Sequence, residues 1–135
     1  GVQTRATEPE AQALDNTEWT LSEIDGAAPL SGRGELDLQF SDTGSFGVSF
    51  GCNRFRGQVE IDGTQLSFPD QIAGTKMACP ETLAVQEERG LALLAEVASY
   101  RIDPGALILL DAEGSTLLRY SDARDEPESM VETGG

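Results

Sequence analysis

Cys52 and Cys79 stand within four residues of three bases, Arg54, Arg56 and Lys76, and Cys52 is followed by an amide, Asn53. A thiol beside cations can act as a nucleophile, because positive charge favours the thiolate. Two cysteines can equally close a disulfide or lie buried as free thiols. Histidine is absent. That removes the partner of a Cys-His dyad or Ser-His-Asp triad and, with only two cysteines, the usual structural zinc sets. The cysteine spacing is not that of a dithiol redox motif. No catalytic residue, metal or cofactor is expected.

The bases form an island on an acidic chain. The net charge is -15, from 24 acids against 9 bases. Such a surface excludes nucleic acid and disfavours an anionic membrane face. Asn53, Arg54, Arg56 and Lys76 are therefore the candidate binding residues, for an anion or carboxylate. The competing reading is structural: Arg54 and Arg56 share a strand parity and can pair with Glu60, Glu81 or Glu87. Glu87 falls on an apolar helical stripe, where a buried acid needs a charged partner, and Arg54 is the first choice. Asn53 suits a turn or bulge, Thr75 a brace into the helix, and Met77 a core filler. The acidic couples Glu35/Asp37 and Asp111/Glu113 have no calcium-loop spacing and read as a solvated face.

The elements that position these residues follow mostly a period of two. Trp19 and Leu21 alternate, as do Leu36, Leu38 and Phe40 and then Phe46, Val48 and Phe50, with a turn at Ser41–Gly44. Phe55–Ile61 reads as one strand, followed by an Asp62-Gly63 turn and a strand with Leu66 and Phe68 that Pro69 ends. The period changes after Cys79. Pro80 and Glu81 suit a first helical turn, and Leu83, Glu87, Gly90/Leu91, Leu94 and Val97/Ala98 line one stripe. Gly90 in mid-helix points to a close approach to a strand. Tyr100 and Ile102 begin a strand, Leu107–Leu110 is continuously apolar and thus central, and Thr116–Tyr120 follows. Strands, one helix and strands again make an α+β fold. The domain covers about residues 16–121, with polar tails at 1–15 and 122–135. The sequence opens at Gly1, as a mature or trimmed chain would, and no apolar run is long enough to span a membrane.

Gly51-Cys52-Asn53-Arg54-Phe55-Arg56-Gly57, then Thr75-Lys76-Met77-Ala78-Cys79-Pro80, then a helix with Gln86-Glu87, resembles the META domain, also called HslJ-like. The Leu14, Trp19 and Leu21 pattern fits too, so the resemblance covers about residues 14–121. It marks Gly51, Gly57, Thr75, Met77 and Glu87 as structural motif positions. Where this chain has Gly90, the family usually has a larger apolar residue. The resemblance implies a curved antiparallel sheet, a half-open barrel, packed on one helix. It implies an exported protein, periplasmic or anchored to the outer membrane by a lipid attached upstream, associated with heat shock, antibiotic tolerance or virulence, and no established enzymatic activity. In an exported domain the favoured state of Cys52 and Cys79 is a disulfide. The resulting expectation is a non-enzymatic stress or interaction module with a protein partner in the cell envelope. A small-ligand or inhibitor-like domain using the mouth of the curved sheet is the alternative.

Overall fold

The computed structural model describes residues 14–31, 35–69 and 72–122. The composition-based tails lie almost wholly outside these residues. The core nevertheless reaches back to Leu14, which is fully buried, and the last strand runs to Asp122.

The strands, in chain order, are β1 (Thr17–Ile24), β2 (Leu36–Phe40), β3 (Ser45–Phe50), β4 (Arg54–Gln58), β5 (Glu60–Asp62), β6 (Gln65–Ser67), β7 (Ala73–Gly74), β8 (Ser99–Asp103), β9 (Ala106–Leu110) and β10 (Thr116–Asp122), with helix α1 (Glu81–Glu96) between β7 and β8. They form one antiparallel sheet in the order β5-β6-β8-β9-β10-β1-β2-β3-β4-β7. The α+β fold of a curled sheet on one helix is thus the one expected. β9 is buried at four of its five positions, as a continuous apolar run requires. In β1 the buried parity shifts between Leu21 and Ile24. Ser22 is the extra residue of a bulge against Arg119–Tyr120, and its hydroxyl donates to the Arg119 carbonyl at 3.1 Å.

The expected strand Phe55–Ile61 is broken. It divides at Val59 into β4 and β5, which lie toward opposite ends of the sheet: β5 is the edge strand at one end and β4 is flanked only by the two-residue β7 at the other. Val59 is buried in the corner, and its N–H donates to the Gly44 carbonyl at 2.8 Å. Two elements adjacent in sequence can sit at opposite ends of a sheet only when the sheet curls until the ends approach. Phe68 seals that approach: its ring meets Phe46 edge-on, centroids 4.9 Å apart, and Phe40 at 6.4 Å. Trp19, Phe40, Phe46, Phe50 and Tyr120 are the large aromatic members of the core inside the curl.

α1 begins after Pro80, which has extended dihedrals and no side-chain cap, with Glu81 in the first turn. Its buried residues are Leu83, Gln86, Gly90, Leu93 and Leu94. The stripe is therefore rotated from the expected one: Gln86, rather than Glu87, is the buried polar residue. Gln86 donates to the Phe50 carbonyl at 2.9 Å and exchanges bonds with both backbone groups of Leu30. A Cβ on Gly90 would lie 2.4 Å from the Phe50 ring, so the helix and β3 approach as the glycine suggested.

Candidate functional site

The connection from β3 to β4 and the segment entering α1 meet at the start of the helix. Gly51 turns the chain with φ +110°, a conformation suited to glycine, and a Cβ there would also press on Leu83 at 3.2 Å. Cys52 and Cys79 are joined in a disulfide, Cα atoms 6.1 Å apart, tying this turn to the residue before Pro80. Closing a loop with a sequence separation of 27 restrains the unfolded chain by about 3–4 kcal/mol.

Asn53 is the centre of this junction. Its dihedrals are not left-handed, unlike Asn16 (φ 57°) and Asp25 (φ 52°), and only 6% of it is exposed. The expected turn or bulge role is corrected to that of a bracket. The Asn53 Oδ1 accepts from Thr75 Oγ1 at 2.9 Å and from the Met77 N–H at 2.6 Å. Its Nδ2 donates to Glu87 Oε2 at 3.1 Å and to Cys79 Sγ at 3.5 Å, and its backbone N–H donates to Glu87 Oε1 at 3.0 Å. Thr75 Oγ1 accepts in turn from the Arg54 N–H at 3.0 Å. One amide so fastens β4, the loop and the helix, and Glu87 serves as its acceptor. Met77 is held by its backbone, and its side chain is 51% exposed, not in the core.

The pairing expected between Arg54 and Glu87 does not form. Arg54 instead grips Asp37 through both terminal nitrogens, at 2.8 to 3.1 Å. Register explains it: Asp37 faces Ser49, and Ser49 faces Arg54, so the three share one row across β2, β3 and β4, with a small residue between the charged ones. Asp37 is 5% exposed, which corrects its reading as part of a solvated face. Burial pushes its carboxyl up to about 6, outweighing the attraction of Arg54, and Glu35 pushes the same way. Asp111 is a turn residue whose Oδ1 accepts the N–H groups of Glu113 and Ser115.

On the outer face of β2, β3, β4 and β7 lies an open groove of about 940 Å³. Its floor is the row Gln39, Gly47, Arg56 and Ala73, where the missing side chain at Gly47 leaves room. Arg54 and Thr75 wall one side, and Ser45 and Gln58 the other. No Asp or Glu is among its lining residues. Arg56 is exposed and enters no ion pair among the described residues. Lys76, also exposed, follows Thr75 at the rim. Gly57 also lines the groove, and a Cβ on it would come within 3.2 Å of the Phe46 ring. Of the four candidate binding residues, then, Arg54 and Arg56 share the groove, Lys76 adjoins it, and Asn53 is spent inside the junction. Gln86, Asp37 and Gly47 were missed. The signal for Asp37 was register, which the tight β2–β3 and β3–β4 connections largely fix.

The architecture is shared with solved proteins. An NMR structure 22% identical to this chain has a TM-score of 0.64 and is covered over 97% of its length by 91% of this chain. A second NMR structure, of a protein from Burkholderia xenovorans, is 28% identical with a TM-score of 0.64, over 84% of this chain and 86% of that one. A DUF4847 family protein from Bacteroides vulgatus is 15% identical with a TM-score of 0.54, over 81% of this chain and 94% of that one. No curated protein matches. The META domain family model matches residues 12–124, and with that span matched the chain belongs to the META domain family.

Proposed function

We propose that this chain is a non-enzymatic, exported binding module that holds a carboxylate-bearing segment of a cell-envelope protein in the groove over β2–β4. The observation that carries the reading is the groove's charge. On a chain of net charge -15, a surface lined by two arginines and no acid stands out as a place for an anion. Arg54, fixed by Asp37, contributes a preorganised wall, while Arg56 is open to a bidentate carboxylate. Gln39, Gln58, Ser45 and Thr75 supply neutral hydrogen-bonding groups around them. The interior of the curl is filled with side chains, so the alternative of a small ligand held within the curl has less support.

The disulfide supports export, since such bonds persist in oxidising compartments. Among the described residues no helix is long and apolar enough to cross a membrane.

The test is fluorescence anisotropy with a labelled Glu-rich peptide and its Gln-for-Glu counterpart. The acidic peptide should bind and the neutral one should not, with affinity falling as salt rises. Arg56→Glu should weaken binding about tenfold or more, roughly 1.4 kcal/mol. Equal binding by wild type and Arg56→Glu, or no preference for the acidic peptide, would sink the proposal.

A further inference from the structure

Three metal-ligating groups converge at the junction from three parts of the chain: Cys52 after β3, Cys79 before α1 and Glu87 in the second turn of α1. Their ligand atoms all lie within 4.8 Å of one another. Cys52 is buried, while Cys79 and Glu87 are half-exposed, so the cluster has a protein-lined back and an open front. Asn53 donates to both Cys79 Sγ and Glu87 Oε2, the kind of outer hydrogen bond that orients ligands around a metal. In the disulfide the sulfurs are spent on each other.

We infer that the reduced chain carries a Cys52–Cys79–Glu87 site for a zinc-class divalent cation. A dithiol reductant supplies two electrons and two protons, becoming a disulfide itself, and the Cys52–Cys79 bond becomes two thiols. The metal then displaces both thiol protons and is bound by two thiolates and the Glu87 carboxylate, with water completing a tetrahedron. Two sulfurs and one oxygen suit Zn²⁺ over harder cations such as Mg²⁺ or Ca²⁺. At metal–sulfur distances of about 2.3 Å the sulfurs of a tetrahedral site stand about 3.8 Å apart. The site requires side-chain rotations that open the sulfurs to that separation with the Cα atoms kept at 6.1 Å. The ion would tie together in the reduced chain the same three segments that the disulfide and Asn53 join in the oxidised one.

The experiment titrates Co²⁺ into the whole chain, oxidised or reduced with a phosphine. It follows the near-ultraviolet thiolate-to-cobalt charge-transfer band, with far-ultraviolet circular dichroism as the reading of the fold. The reduced chain should develop the band at one ion per chain and lose it when Zn²⁺ is added, and the oxidised chain should show none. Glu87→Gln, which keeps an oxygen acceptor for Asn53 but loses the charged ligand, should weaken binding tenfold or more. Three results overturn the site: no band on a reduced chain that keeps its fold, a reduced chain that unfolds and is not restored by Co²⁺, or equal affinity in Glu87→Gln.

Discussion

Gly90→Ala should destabilise this protein, against the usual rule for a helix interior. On propensity alone the change adds about 1 kcal/mol of stability. Here the new Cβ would sit 2.4, 2.5 and 2.6 Å from three carbons of the Phe50 ring, about 1 Å inside ordinary contact. Phe50 has no exposed surface, so its ring has no solvent to move into. The helix cannot easily retreat either, because Gln86 bonds the Phe50 carbonyl one turn earlier. Overpacking of this kind costs about 1–3 kcal/mol. Taking the upper end for a three-atom overlap with a fixed ring leaves a net loss of about 2 kcal/mol. In urea denaturation the midpoint should fall with an unchanged slope. Phe50→Leu removes the ring, so the double variant should be more stable than the two separate losses predict, by up to about 3 kcal/mol of coupling, the whole overpacking cost. A Gly90→Ala protein as stable as its parent, or strict additivity in the cycle, would refute the argument.

Two further substitutions probe the buried polar groups. Asp37 holds its proton more tightly in the folded chain, with a pKa of about 6 against 3.8. Wild type should therefore gain stability, up to about 3 kcal/mol, as pH falls through that window, and Asp37→Asn should lack this gain; thermal melts on either side of the window that respond equally in the two proteins would contradict it. The Tyr120 hydroxyl is buried with no hydrogen-bond partner among the described residues, and burial, aided by the nearby Asp37 charge, raises its pKa. Tyr120→Phe should leave stability unchanged or raise it by about 1 kcal/mol in chemical denaturation, and a loss of that size would show that the hydroxyl is satisfied after all.

Alternating apolar residues were enough to read the β2–β3 hairpin, and an unbroken apolar run was enough to read β9, which is buried at four of its five positions. Neither pattern could show the corner at Val59. Phe55 in β4, Val59 at the break and Ile61 in β5 are all at least half-buried, so the break preserves the apolar parity of a continuous strand. The bulge at Ser22 was hidden for the opposite reason: it changes parity in a strand whose later residues gave no pattern. Arg54 was assigned the wrong partner because Glu87 stands on a stripe that can be read from sequence, whereas Asp37 is recognisable only once two successive registers are counted. The helical stripe itself was misread by one residue, since Gln86 and Glu87 are equally polar and only the Phe50 and Leu30 backbone groups decide which is drawn inward.

The density of the Gly51–Gly57 motif follows from strand geometry. Phe55 points to the core, Arg54 and Arg56 point to the outer face, and the residues before them leave the sheet toward α1. One short segment thereby does two separate jobs. Asn53 fastens Thr75 and Met77 to β4, while Arg56 remains open above the floor. The two jobs are coupled through Thr75, which is bonded to Asn53 and also walls the groove beside Arg54. Loosening the bracket would move that wall. A motif that looks like a binding signature from its bases is therefore half fastening, and the half that fastens sets the shape of the half that can bind.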